Sequence, residues 1–159
     1  MIVITDTLFD RRVCESLIKY FLSQKDTGNI RYPKGKGNIA FDIDKNNTTF
    51  KKIYNILETQ VSKVYDMQLE VDWGQLTEWY PGTKLYEHFD HASKDTIMTS
   101  VTYLNDSYSG GETYLVDLLE VSPQSGRTIF FNGSNYKHGV KEINTGIRYV
   151  MPVWYKIKR

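Results

Sequence analysis

Four positions carry most of the chemical information in this sequence: His88 and Asp90, two residues apart, then His138, then Arg148 ten residues further on. Two imidazoles and one carboxylate are the donor set that holds non-haem Fe(II) on one face and leaves coordination positions open for substrate and oxygen. An arginine beyond the second histidine suits a partner carboxylate, because its planar fork donates two parallel hydrogen bonds. His-X-Asp alone is a weak signal, arising by chance in about one chain in five of this composition, and its plain alternative is a solvated surface pair. His138 tightens the case, because it starts a later strand after a Gly-Ser-Asn turn and can come from an opposite sheet. On a single strand His88 and Asp90 would point to one face and reach one metal. His91 lies on the other parity and reads as an ordinary satisfied core or surface histidine.

The elements that must position these residues read as helices first and strands afterwards. After a short apolar strand at Ile2 to Ile4, Asp6 or Thr7 can cap a helix over 8–23 with an apolar face of Leu8, Leu17, Ile18, Phe21 and Leu22. The stretch 27–47 is rich in Gly, Lys and Asn, shows no helical period, and reads as a loop or mobile hairpin. Thr48 or Thr49 opens a second helix, with Phe50, Ile53, Tyr54, Leu57, Val61 and Val64 on one face to about Asp66. From Leu69 onward the chain alternates short β-rich runs with turns such as PGT, NDSYSGG, SPQSG, NGSN and NTG. Seven or eight such strands predict a sandwich or barrel, with a jelly roll as the arrangement that manages its edges.

Composition sets the bounds. A chain of 159 residues fits one domain over 1–159, with helical support over about 1–68 and a β core over about 69–159. Lys plus Arg number 20 against 19 for Asp plus Glu, and no long basic stripe interleaves with aromatics, so nucleic acid is not an expected partner. No stretch reaches the roughly 18 apolar residues of a membrane-spanning helix. The single cysteine, Cys14, cannot form an internal disulfide, and the start MIVITDTLFD lacks a basic segment followed by an apolar one. The expected setting is reducing and cytoplasmic, away from membranes.

A longer pattern surrounds the four residues. Tyr80-Pro81-Gly82, Tyr86, His88 and Asp90 are followed by Tyr103-Leu104-Asn105, Gly110-Gly111-Glu112, Pro123, Gly126 and Phe130-Phe131. His138 and the run from Arg148-Tyr149 to Val153-Trp154-Tyr155 complete it. In order and spacing this half of the chain resembles the Fe(II)- and 2-oxoglutarate-dependent dioxygenases, and among them most the prolyl hydroxylase branch. The resemblance implies a mainly β fold with flanking helices: a double-stranded β-helix, or jelly-roll, core supported by two or more N-terminal α-helices. It implies that His88, Asp90 and His138 bind Fe(II), with 2-oxoglutarate and O2 as cosubstrates and ascorbate as a reductant.

Further roles follow from the same resemblance. Arg148 would pair with the distal carboxylate of 2-oxoglutarate, and Tyr103 would share it. Tyr80 would line the pocket near the iron, and Thr99, on the face of Tyr103, would line the same pocket. Each tyrosine has half-buried strand packing as its plain alternative. Trp154 shares the face of Arg148 and would pack beneath the substrate, and Arg31 and Tyr32 would contact it from a lid formed by 27–47. The implied reaction hydroxylates a C–H bond, releasing succinate and CO2, with a prolyl residue of a protein or peptide as substrate. Two other readings stay open: the same chemistry on a free amino acid or small metabolite, and a non-oxygenase jelly-roll metal-binding protein. Aspartate at position 90 disfavours halogenation, which needs that ligand position vacant.

Overall fold

The computed structural model describes residues 1–27, 30–31, 37–91 and 93–159. Its strands are β1 (Val3–Thr5), β2 (Ile30–Arg31), β3 (Asn38–Asp42), β4 (Leu69–Trp79), β5 (Leu85–His88), β6 (Thr96–Tyr103) and β7 (Ser109–Gly110). Then follow β8 (Thr113–Leu115), β9 (Leu119–Val121), β10 (Thr128–Phe131), β11 (His138–Val140), β12 (Ile143–Thr145) and β13 (Arg148–Ile157). Two α-helices, α1 (Arg11–Gln24) and α2 (Thr48–Tyr65), and a single 3-10 turn after α1 (Lys25–Thr27) complete the described elements.

The strands form a seven-stranded sheet in the order β1-β10-β6-β13-β4-β3-β2, a four-stranded sheet in the order β5-β11-β8-β9, and a β12-β7 pair. Every pairing is antiparallel. The large sheet therefore has two working faces, and β13 shows how the sequence assigns them. Met151, Val153 and Tyr155 point into one core with Phe50, Leu57 and Phe21 from the helices. Arg148, Val150, Pro152 and Trp154 line a cavity on the opposite face. Beneath that face a second core, with Tyr103, Leu115, Ile129, Phe131 and Val150, joins the large sheet to the small one. The layers are helices, large sheet and small sheet: the expected mainly β jelly roll with helical support.

The helices begin where local chemistry permits. Asn47 caps α2 by accepting from the Thr49 N–H at 2.9 Å, close to the expected start. In α1 the cap is Asp10, which accepts from Val13 N–H at 2.9 Å, and not Asp6 or Thr7. Asp6 is held instead by Arg127, whose Nε and Nη2 donate at 2.8 and 3.0 Å, so Leu8 and Phe9 precede the helix. Within 27–47, read as a loop or mobile hairpin, the described residues take the hairpin form and join the sheet. They supply β2 and β3, which pair with each other and extend the large sheet beyond β4, with Asn38 opposite Trp79. Together with β1, these strands bring part of the first 68 residues into the β core. Among the described residues no helix is long and apolar enough to cross a membrane.

Leu57 is fully buried where α2 meets the large sheet. Leu57→Ala is expected to destabilise the fold by about 2–5 kcal/mol, read as a lower denaturation midpoint at unchanged slope.

Candidate metal and cosubstrate site

The small sheet sets the two histidines side by side. His88 ends β5, His138 begins β11, and the two are direct partners in the ladder. Their ring centroids lie 4.4 Å apart. His88 Nδ1 lies 2.9 Å from the Tyr86 carbonyl and His138 Nδ1 lies 2.8 Å from the Tyr136 carbonyl. With a metal bound, a proton kept on each Nδ1 and donated to those carbonyls would leave each Nε2 as a lone-pair ligand. Both Nε2 atoms face one oxygen, Asp90 Oδ1, at 3.5 Å from His88 and 3.4 Å from His138.

Asp90 reaches this place by a different route from the one its spacing suggests. β5 ends at His88, so no strand ladder holds Asp90. Its N–H instead donates to the Gly133 carbonyl at 2.9 Å. Burial opposes the charge on this carboxyl. Hydrogen bonds from His138 and His88, the nearby His138 and the Thr99 hydroxyl outweigh that effect and hold it well below the usual carboxylate range. Three donor atoms, one from each of His88, Asp90 and His138, lie within 4.8 Å of one another and could hold a metal ion.

Arg148 opens β13 and is 1% exposed. Its Nε donates to the Gly111 carbonyl at 2.9 Å and Nη2 to Thr113 Oγ1 at 3.1 Å. The guanidinium carbon lies 5.5 Å from the Trp79 ring centroid and 5.4 Å from that of Tyr103. No ion pair among the described residues involves it. A buried cation without a carboxylate partner is costly, and its surroundings would favour an anionic ligand.

The metal cluster and Arg148 line one cavity of about 320 Å³, the size of a small-ligand pocket. Thr99 also lines it, and its hydroxyl donates to Asp90 Oδ2 at 2.6 Å. Trp154 lines it as well, stacked on Trp73 with centroids 4.5 Å apart and planes 18° apart. His91, read as an ordinary core or surface residue, is exposed and borders the same cavity with Phe89. Tyr103 stands off the wall: its hydroxyl donates to the Val121 carbonyl at 2.9 Å and accepts from Thr113 N–H at 2.8 Å. Tyr80 does not line the pocket near the metal cluster. It follows Trp79, which takes the cavity face, and Tyr80 hydrogen-bonds Glu78 and packs against the helical core. Of the expected lid residues, Arg31 has its backbone in β2, and Tyr32 lies outside the described residues.

Sequence reasoning passed over Trp73, Gln75, Thr77 and Trp79, the cavity face of β4, and Asn38 and Thr113. The β4 residues carried a readable signal, since Trp73, Gln75, Thr77 and Trp79 alternate with Gly74, Leu76 and Glu78 along one strand.

Residues 74–156 match the model of the 2OG-Fe(II) oxygenase superfamily, just over half of the chain. Over 66 residues the chain is 35% identical to prolyl 3-hydroxylase 1 of Gallus gallus, a match covering 37% of this chain and 9% of that protein. The chain thus spans less than a tenth of the length of this curated relative. In fold it is similar to a Pseudomonas putida prolyl-4-hydroxylase, with a TM-score of 0.81, 17% identity, and coverage of 99% of this chain and 93% of that one. It is likewise similar to HygX of Streptomyces hygroscopicus, solved with nickel, 2-oxoglutarate and hygromycin B bound. That likeness has a TM-score of 0.75 and 15% identity, over 99% of this chain and 83% of the other.

Asp90→Ala removes the oxygen that both imidazoles face. It is expected to abolish divalent-metal binding in an anaerobic titration, whereas His91→Ala, outside the cluster, should bind as the unaltered chain does. Full metal affinity in Asp90→Ala would place the metal elsewhere.

Proposed function

Because the chain belongs to the 2OG-Fe(II) oxygenase superfamily, we propose that it hydroxylates a prolyl residue of a protein or peptide. The balance is one C–H bond, O2 and 2-oxoglutarate consumed, with one oxygen atom entering the product and the other entering succinate as CO2 leaves. The observation that carries the oxygenase reading is the buried Arg148, without a carboxylate partner among the described residues, on the same cavity as the His88, Asp90 and His138 cluster.

The residues present fit both groups. Two nitrogens and one carboxylate oxygen suit ferrous iron, with the remaining coordination positions left to cosubstrate and oxygen. Bound there with 2-oxoglutarate, iron supplies the oxidising power to break an unactivated C–H bond. This chain's residues bind, orient and exclude water. The Tyr86 and Tyr136 carbonyls keep each Nε2 turned inward. Arg148 would take the distal carboxylate of the cosubstrate, fixed in place by Gly111 and Thr113 and flanked by the Trp79 and Tyr103 rings. The Tyr103 phenol, engaged with Val121 and Thr113, would act by holding that wall.

Support for proline comes from the prolyl hydroxylases among the similar proteins and from the open end of the cavity. There Trp73 and Trp154 stack and Phe89 is partly exposed, giving the flat apolar surface that suits a pyrrolidine ring. The HygX complex favours a second reading, since a similar fold accommodates a small molecule beside 2-oxoglutarate.

Incubation with Fe(II), 2-oxoglutarate and proline-bearing peptides is expected to yield succinate and peptides heavier by one oxygen atom, mapped to proline by fragmentation. Succinate formed with small metabolites and never with peptides would select the second reading. Arg148→Ala is expected to weaken 2-oxoglutarate binding by roughly 2–5 kcal/mol, read as a raised cosubstrate requirement. An unaltered requirement would move the cosubstrate site away from Arg148.

A further inference from the structure

We propose that Thr99 and Gly133 are positioning residues for Asp90, holding its carboxylate so that Oδ2 is occupied by protein and Oδ1 alone faces the metal. This inference rests on the metal-site reading above and goes beyond it, from which residues bind to what makes one of them a one-oxygen ligand.

Asp90 lies past the end of β5, so its side chain is aimed by local contacts. Three come from the turn between β10 and β11 and from β6. The Gly133 carbonyl accepts the Asp90 N–H at 2.9 Å. The Ser134 hydroxyl is shared as donor between the Asp90 and Thr96 carbonyls, each at 3.3 Å. The Thr99 hydroxyl donates to Oδ2 at 2.6 Å. An ionised carboxylate oxygen only accepts, so the single Thr99 proton is committed to Oδ2. Oδ1 is left facing His88 and His138.

Gly133 makes this contact sterically possible. A Cβ at position 133 would lie 2.3 Å from Asp90 Oδ2, 2.4 Å from Thr99 Oγ1 and 2.9 Å from Asp90 Cβ. The backbone there is not in the left-handed region that favours glycine. Glycine is required at 133 for room, and the room is filled by the hydrogen bond between Thr99 and Asp90. That bond also ties β6 of the large sheet to the ligand next to β5 of the small one.

The test is Mn(II) titration of the full chain without oxygen, read by the signal of the free ion, with folding checked by circular dichroism and melting temperature. Thr99→Val keeps the shape and removes the proton. It is expected to weaken Mn(II) binding about 10- to 100-fold, the range for a lost partner behind a metal ligand, while Thr99→Ser restores most of the affinity. Gly133→Ala should weaken it comparably, and the double variant should fall short of the product of the two losses because both act on Oδ2. If Gly133→Ala does not fold, the Thr99→Val and Thr99→Ser pair decides the matter. Folded Thr99→Val with the affinity of the unaltered chain, or Thr99→Ser no better than Thr99→Val, overturns the proposal. An unaltered chain that binds no divalent ion overturns the metal-site reading itself and this proposal with it.

Discussion

The small sheet can present two imidazoles to one point only while β5 and β11 keep their register. His88 and His138 are partners across that ladder, and side chains alternate faces along each strand. A slip of one residue would turn one imidazole away from the other and leave Asp90 facing a single nitrogen. Both strands are short, so their own hydrogen bonds are a weak guarantee. The register is reinforced from outside: β11 is also paired with β8, His138 opposite Leu115, and the His138 ring sits edge-on to Phe131 at 4.7 Å. Phe131 and Leu115 belong to the core between the sheets, so the packing that joins the layers also holds the histidine pair.

The large sheet carries a different burden. On β13, residues facing the helices are apolar and tightly buried, while the opposite row begins with a fully desolvated cation. Arg148 is tolerated through its bonds to Gly111 and Thr113 and the faces of Trp79 and Tyr103. None of these neutralises its charge. A dicarboxylate bound at this end would relieve part of that cost, so its affinity and the stability of the fold would be linked.

Much of this arrangement was legible in the sequence, though not always for the reason that made it so. α2 was readable because its apolar residues recur at helical spacing and Asn47 caps it next to the expected start. His88, His138 and Arg148 drew attention by residue type, order and spacing, and the structure brings all three to one cavity. Asp90 was expected beside His88 by strand parity, whereas the structure brings it there past the end of β5 through Gly133, Ser134 and Thr99, contacts made across 43, 44 and 9 positions of chain. Long-range contacts also explain the misses. Asp6 looks like a helix cap, but Arg127, 121 residues away, takes its carboxylate. β3 was hidden because it is buried over Asn38 to Phe41 and lacks the polar alternation of a half-exposed strand. Tyr103 drew a role at the carboxylate from its position, whereas its one O–H is committed to the Val121 carbonyl.

The two ends of the cavity differ in a way that gives the proposed reaction a direction. Arg148 and Trp154 are six residues apart on one face of β13, roughly 20 Å at about 3.4 Å per residue. Thr99 is the ladder partner of Trp154, and Thr99 holds Asp90, so the metal cluster lies toward the Trp154 end. A register shift on β4 brings Trp73 opposite Trp154 and Val71 opposite Tyr155, so that Trp73 faces the cavity while Val71 faces the helices. This shift builds the stacked aromatic pair beside the cluster. A dicarboxylate anchored at Arg148 would extend along β13 toward the metal and approach it from the buried side. In the proposed reaction the side left for the hydroxylated group would then be the one bordered by Trp73, Trp154 and Phe89, and the chemistry of that rim, not of the ligand triad, would select the substrate.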